Sequence, residues 1–395
     1  MIGQLGRRST IALLIHSALI QAVTFLVRPA ATYRALELNV PDFALGLLAA
    51  SYAVFPLLLA IPTGGLVDRL GERRLMAAGS AVVLSCSAFL LLWGTSVLSL
   101  VIGTALLGAG QLACVVGQQA VVANNASSSK LDSAFGYLTF AASLGQALGP
   151  LAISVVAGAS VHPDTQAIFG LAAGMSLALF AGTFAIASKP GGRNGTAKAA
   201  GRSGGGTASL LRTPGVVRAL ATSATVLAVV DLTVVYLPAL GTERGLTAAT
   251  VGLMLAVRAV FSMASRLGLG GMSRRLGRTR LLVTSLALST VALAVAAIPM
   301  PAWLLFVVMA ALGLGLGIGQ PLTMSWLSAQ APDGQRGRAL ALRLAGNRAG
   351  QVVLPSAIGV VAAGLGAAGV FLASALAVGG TLLLVRGVRL DDQRS

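Results

Sequence analysis

One acid stands deep inside a long apolar stretch of this chain: Asp231, within VLAVVDLTVVYLPAL. A carboxylate in such a place can pair with a cation or carry a proton. Holding a proton near neutral pH would need about 4 kcal/mol of differential stabilisation, which burial supplies and a close arginine opposes. Two arginines in other apolar runs, Arg28 and Arg258, are the candidate partners. If these runs cross a bilayer, each charge costs at least about 2.5 kcal/mol and must find water, a partner or a cavity. The expected resting state is an ion pair of Asp231 with Arg28 or Arg258 that a solute or a proton breaks; a purely structural pair is the alternative.

Further along, Arg343, Asn347 and Gln351 recur at steps of four, one above the next on a single helix face. Such a stripe must face protein or water rather than lipid. It suits either an anion-attracting surface or interhelical hydrogen bonding, and Arg348 points elsewhere. Gln111, Gln118, Gln119, Asn124, Gln146, Gln320 and Gln330 supply neutral hydrogen-bonding groups that suit an amphipathic organic solute. His16 can titrate, but the reading preferred for it is a satisfied core histidine. No Gly-x-x-x-x-Gly-Lys-Ser/Thr phosphate loop occurs, no His/Cys/Asp cluster has metal-ligand spacing, and neither histidine lies in a catalytic constellation. The sequence therefore reads as neither ATP-driven nor enzymatic, and calls for no cofactor or metal.

The elements that must position these residues follow from composition. Of 395 residues, 56% are of the AVILMFWYC set, 49 more are glycine, and only 10% are charged. Soluble domains carry roughly 45 to 50% apolar residues with glycine included and about 25% charged ones. With a mean hydropathy of +0.87, the chain cannot cover a soluble surface, and it is too apolar for disorder. It reads as an integral membrane protein. Cys86 and Cys114 lie inside apolar runs and imply no disulfide framework.

A hydrocarbon core about 30 Å thick takes about 20 apolar residues at 1.5 Å per residue. Twelve runs qualify, near 10–33, 43–66, 75–94, 97–123, 134–160, 166–188, 215–238, 247–269, 281–299, 302–328, 338–363 and 366–386. They are apolar all round, unlike the alternating segments of a barrel, so the architecture is all helical. Arg7 and Arg8 precede the first run as in a signal peptide, but its length, its lack of a cleavage site and Arg28 make it a retained helix. The formal charge of +17 would raise nucleic-acid binding in a soluble protein; here its placement gives topology instead. One set of turns carries 21 basic residues and the opposite set only Arg34 and Arg244. By the positive-inside rule both termini and the central loop are cytoplasmic, and the expected location is the cytoplasmic (inner) membrane.

The stretch KPGGRNGTAKAAGRSGGGTAS interrupts the apolar pattern as a flexible basic linker. It sets expected boundaries of 1–188 for a first six-helix bundle, 189–213 for the linker and 214–395 for a second bundle with a short tail. The two sides align on each other at an offset of 205 to 206. Gly64-Gly65-Leu66-Val67-Asp68-Arg69-Leu70-Gly71-Glu72-Arg73-Arg74 recurs as Gly270-Gly271-Met272-Ser273-Arg274-Arg275-Leu276-Gly277-Arg278-Thr279-Arg280, identical at six of eleven positions. Gly145-Gln146 and Pro150 return as Gly350-Gln351 and Pro355, and Gly108 and Gly110 as Gly313 and Gly315. Three correspondences in one register mark an internal duplication.

On these features the sequence resembles the major facilitator superfamily of secondary transporters, over essentially the whole chain. The residues that carry the resemblance are Gly64, Asp68, Arg69, Gly71, Arg73 and Arg74, their degenerate copy at Gly270, Arg274, Arg275, Gly277 and Arg280, and the layout of six helices and six. Gly136, Gly145, Gly149 and Pro150 in the fifth run resemble the signature of export branches, although Ile153 and Ser154 stand where a glycine pair would follow. The arginine those branches place four residues before a glycine in the fourth run is Thr104 here, so its proton-relay role does not carry over. The resemblance implies a cavity lined by helices 1, 4, 7 and 10, with helix 11 beside it. It also implies gating by Asp68 where the second helix leaves the membrane, the alternative being a topology signal from Arg69, Arg73 and Arg74. Gly145 and Gly149 have a packing explanation as well, since they clear a helix face for a neighbouring backbone.

The expectation is a monomeric transporter working by alternating access, with its solute and proton pathway at Arg28, Asp231, Arg258, Gln118, Gln320, Arg343 and Asn347. Its partners are a small molecule, protons and the lipid bilayer, with no nucleic acid, and proton-coupled efflux of a drug-like molecule or metabolite is the favoured activity. The rivals are a carrier of organic anions such as carboxylates, suggested by several arginines against one acid, and a sensor or accessory protein of the same fold that moves nothing.

Overall fold

Long apolar runs in lipid satisfy their backbone groups only as helices, and helices are what form. The computed structural model describes residues 5–126, 131–187, 215–330, 336–361 and 364–385. These residues hold twelve helices: α1 Arg7–Glu37, α2 Asp42–Leu70, α3 Glu72–Trp93, α4 Val97–Asn125, α5 Leu131–Ala157, α6 Thr165–Thr183, α7 Val216–Glu243, α8 Ala248–Leu276, α9 Arg278–Ala296, α10 Ala302–Gln330, α11 Arg336–Val361 and α12 Gly366–Val385. Ten are long and apolar enough over their described residues to cross a membrane, and the chain is a multi-pass membrane protein. The expected linker, 189–213, lies outside the described residues, as do the side chains of Asp68 and Gln330.

The two sixes pack alike. In the first, α1 lies on α5 and α6, α3 on α4 and α6, and α2 on α4; in the second, α7 lies on α11 and α12, α9 on α10 and α12, and α8 on α10. Both copies of the repeated motif have the same shape. The sequence suggests a loop around Asp68, but α2 runs on to Leu70 and α3 starts at Glu72, leaving Gly71 alone between them at φ 81°, ψ 157°. Gly277 does the same between α8 and α9 at φ 77°, ψ 155°. That combination is open essentially to glycine only, which explains why this glycine survives in both copies.

The opposite end of each half is tied by an acid and an arginine from the end of its first helix. Arg34 donates to the Gly94 carbonyl at 2.8 Å, and Glu37 accepts from Thr165 at the start of α6 at 3.2 Å. In the second half Arg244 donates to the Ala296 carbonyl at 2.8 Å, and Glu243 accepts from the Ala367 backbone N–H at the start of α12 at 2.7 Å. Glu243 thus meets an orphan donor and the positive end of a helix dipole. Arg34 and Arg244, the two basic residues on the sparsely charged side, serve the same purpose twice.

Glycines set the close approaches. A Cβ at Gly145 or Gly149 would run into the backbone carbonyls of Ala18 or Ala22, so α5 rides directly on α1. Gly108 sits on the Tyr52 carbonyl and Gly313 on the Arg258 carbonyl, which fixes the height of those two side chains. Between the halves, α2 meets α11 and α5 meets α8. Added Cβ atoms at Gly46 and Gly252 would each stand 2.6 Å from a carbonyl oxygen, of Pro355 and Pro150 respectively. The seam beside Gly252 is hydrogen-bonded too, Ser154 Oγ donating to Ala249 O and Ala248 N to Ser160 O, both at 2.8 Å. The end of the molecule away from the linker is therefore shut.

Candidate functional site

The only salt bridge between the halves among the described residues lies at mid-depth. Arg28, 3% exposed on α1, places Nη1 2.6 Å from Oδ1 of Asp231, 5% exposed on α7. Of the two partners open to Asp231 in the sequence, Arg28 is the one it takes. The other carboxylate oxygen, Oδ2, accepts from Nε2 of Gln351 on α11. Gln351 Oε1 in turn accepts from Arg348 Nη1 at 3.1 Å. Beneath the pair, the Arg28 guanidinium carbon stands 4.3 Å from the Tyr52 ring centroid, a cation–π contact with α2. Four helices from both halves, α1, α2, α7 and α11, thus meet at one ion pair.

Positive charge exceeds negative around it. Arg258 on α8, 4% exposed, lies within electrostatic reach of Asp231, Arg28 and Arg266. Its Nε has no hydrogen-bond partner, and neither has Nη2 of Arg28. Arg266 spans to the first half, donating to Ser143 Oγ on α5 at 3.3 Å. Two turns along α11 from Gln351, Arg343 Nη2 donates to Gln320 Oε1 at 2.5 Å and to its carbonyl at 3.0 Å. Gln320 Nε2 donates to the Ser223 carbonyl at 3.0 Å. Arg343 Nε and Asn347 Oδ1, both buried, lack partners. Buried groups of this kind cost free energy until a partner arrives.

The remaining candidate residues lie elsewhere. Gln118 is in the interior of the first half, its Nε2 2.8 Å from Nδ1 of His16, whose Nε2 meets Thr183 at 3.0 Å and Ser80 at 3.2 Å. His16 is accordingly a satisfied core histidine joining α1, α3, α4 and α6. Gln111 is buried with Oε1 unpartnered, Gln119 is exposed, and Asn124 donates to Glu72 at 2.7 Å. Arg69, Arg73, Arg74, Arg274, Arg275 and Arg280 are exposed at the linker-side ends of their helices. Gly64 and Gly270 occupy the last turns of α2 and α8, and a Cβ at Gly136 would meet nothing within 4 Å. Among the described residues no group of three or more His, Cys, Asp or Glu could hold a metal.

Two members of the cluster escaped the sequence reading. Tyr52 looks like any aromatic in an apolar run, and its one signal is register: it precedes Arg258 by 206, the offset of the duplication. Gln351 was visible on its stripe, but not as the ligand of Asp231.

The family model of the Major Facilitator Superfamily matches residues 13–243 and 219–395. No curated protein matches the chain. Among solved structures, the nucleoside transporter NupG is 12% identical with a TM-score of 0.78, covering 95% of this chain and 98% of its own. A peptide transporter, POT, in complex with sulfate is 16% identical with a TM-score of 0.74, covering 97% and 95%. A bacterial homolog of the human lysosomal transporter Spinster, in an inward-facing and occupied conformation, is 13% identical with a TM-score of 0.71, covering 96% and 95%. At these identities the likeness is one of fold.

Proposed function

The chain belongs to the major facilitator superfamily of transporters, and from that premise we propose that it moves a small organic solute by alternating access, coupled to protons at Asp231. The observation that carries the reading is the division of one carboxylate between the halves, Oδ1 held by Arg28 of the first and Oδ2 by Gln351 of the second. A proton on Asp231 removes the charge that holds Arg28, so protonation loosens the halves at mid-depth, where transporters of this build place their sites. With 21 basic residues on the linker side, both termini are cytoplasmic in the inner membrane. The shut end at Gly46 and Gly252 then faces outward. Asp68 and the arginines at the α2–α3 and α8–α9 junctions gate the inner end.

Outward transport was suggested by the α5 glycines, but Gly145 and Gly149 are occupied by packing on α1, so direction is argued below from charge. The test is a flux screen in proteoliposomes with a pH gradient imposed or absent. Gradient-driven accumulation in wild type, lost in Asp231→Asn while solute counterflow persists, supports the reading. Flux indifferent to the gradient removes proton coupling. No flux of any solute leaves the sensor or accessory role.

A further inference from the structure

The buried charges around the switch do not balance. Arg28 and Asp231 neutralise each other, which leaves Arg258 at 4% exposure and Arg343 at 7% with no carboxylate bonded to either. Arg348 bonds the neutral Gln351 and Tyr52, and Arg266 the neutral Ser143 and the Gly317 carbonyl. Like charges repel strongly where water is scarce, so a solute cation would be opposed here and an anion drawn in. Nη2 of Arg28, on the guanidinium paired with Asp231, and Nε of Arg258, within electrostatic reach of that carboxylate, are donors without acceptors among the described residues. An arginine fork matches a carboxylate bidentately.

We propose that the solute is a carboxylate-bearing organic anion held by Arg28 and Arg258, and that it binds together with one proton taken by Asp231. This rests on the transporter reading and names its substrate class and coupling. The sign follows from the single acid. When the anion engages Arg28, Asp231 keeps only Gln351, and a buried carboxylate without its cation is strongly unfavourable. It relieves this by accepting a proton on Oδ1. No covalent bond of the solute changes, and a monoanion with its proton crosses as a net charge of zero. The charged and titratable groups facing Asp231 are Arg28 from α1, Tyr52 from α2, Arg258 from α8 and Arg348 from α11. The other helices packed on α7, which are α10 and α12, contain no charged or titratable residue at all. Among the described residues no second acid faces Asp231.

Linkage is reciprocal, so anion and proton raise each other's affinity. A cationic solute would compete with the proton for Asp231 and give exchange; an anion gives cotransport. Under an inward proton gradient the direction is uptake, opposite to the export suggested by the α5 glycines. Arg343 and Asn347 stand two turns and one turn from Gln351 toward the linker side of the same helix.

The experiment uses the purified full-length protein in nanodiscs with benzoate, benzamide and benzylammonium as probes of one shape and three charges, and with butyrate and succinate for size. Binding is read by calorimetry and proton uptake by a pH dye in weak buffer. A carboxylate should bind at least tenfold tighter than its neutral or cationic counterpart, take up one proton per anion, and weaken by up to tenfold per pH unit as pH rises. Asp231→Asn should bind the anion with no proton uptake and no pH dependence. Arg258→Gln should lose at least tenfold in affinity and Arg258→Lys recover part of it, with elution volume and helicity confirming the fold. The proposal is overturned if no carboxylate probe outbinds its amide, if benzoate binds without proton uptake, or if Asp231→Asn still takes up a proton. Flux of neutral or cationic solutes without anion binding would sink the anion site and spare the transporter. Anion binding with no flux of anything would do the reverse.

Discussion

Gly252→Ala adds one methyl group where the structure has room for none. The new Cβ would lie 2.6 Å from the Pro150 carbonyl oxygen and 2.6 Å from Ser154 Oγ, and ordinary contact begins at 3.4 Å. Ser154 can rotate away, but the carbonyl is backbone, so α5 and α8 must part by 0.8 Å along that line. Overpacking of this kind is unfavourable by about 1–3 kcal/mol. The strain falls only on the conformation in which this end is shut, so it shifts the balance toward the opposite conformation by about fivefold to about 150-fold. Gly46→Ala does the same to the other seam through the Pro355 carbonyl at 2.6 Å, and the two together should add, being separate contacts. Spin labels at Thr95→Cys and Ile298→Cys, exposed links at this end of each half, report the opening by pulsed dipolar spectroscopy; buried Cys86 and Cys114 stay unlabelled. The long-distance population should grow from wild type to each single variant and again in the double. Unchanged distance distributions in folded single and double variants would show that these seams do not close the molecule.

Other outcomes follow from the same contacts. Arg28→Gln strands the Asp231 carboxylate and should lower stability by about 3–5 kcal/mol, and adding Asp231→Asn should recover most of it in thermal unfolding; equal losses in both would deny the pair this role. Glu243→Ala removes the acceptor of the Ala367 N–H and should cost about 1 kcal/mol, with Glu37→Ala matching it if the two latches are equivalent. His16→Leu leaves Gln118, Thr183 and Ser80 short of a partner and should lower stability by about 1–3 kcal/mol while the pH profile of flux stays put; a shifted profile would put His16 in the proton path.

Hydropathy alone exposed twelve spans, because an apolar run of membrane length has no other stable home. It missed their ends by several residues: α1 runs from Arg7 to Glu37 against an expected 10–33, since polar terminal turns carry no hydropathy signal and are fixed by contacts such as Arg34 to Gly94. Depth was legible for Asp231 and its choice of partner was not, because two arginines fitted equally. Gln118 shows the other limit. Helix α4 is apolar all round, so no stripe tells which of its amides face their own half and which face the other. Gln118 turns inward to His16, an interaction 102 residues away in sequence that no local pattern encodes.

The duplication persists where backbone touches backbone and lapses where charge is needed. Gly46 and Gly252, Gly108 and Gly313, and Gly145 and Gly350 keep the same close approaches in both halves, since a side chain at any of them would collide in either copy. The register that pairs these glycines also sets Phe25 against Asp231, Val234 against Arg28, Tyr52 against Arg258, Leu138 against Arg343 and Ala142 against Asn347. Buried charge is expensive in lipid, and one carboxylate shared between halves already lets either half sense the other, so a second copy would add desolvation without adding a switch. Four of the five interior arginines, 258, 266, 343 and 348, lie in the second half and only Arg28 in the first. Under the proposed mechanism the halves are therefore not interchangeable. Neutralising Arg258 or Arg343 should raise the concentration of solute needed for half-maximal flux while the proton-to-solute ratio holds, whereas neutralising Asp231 alone should abolish that ratio while solute exchange continues. The same change in both quantities from either kind of substitution would mean that solute and proton share one undivided site.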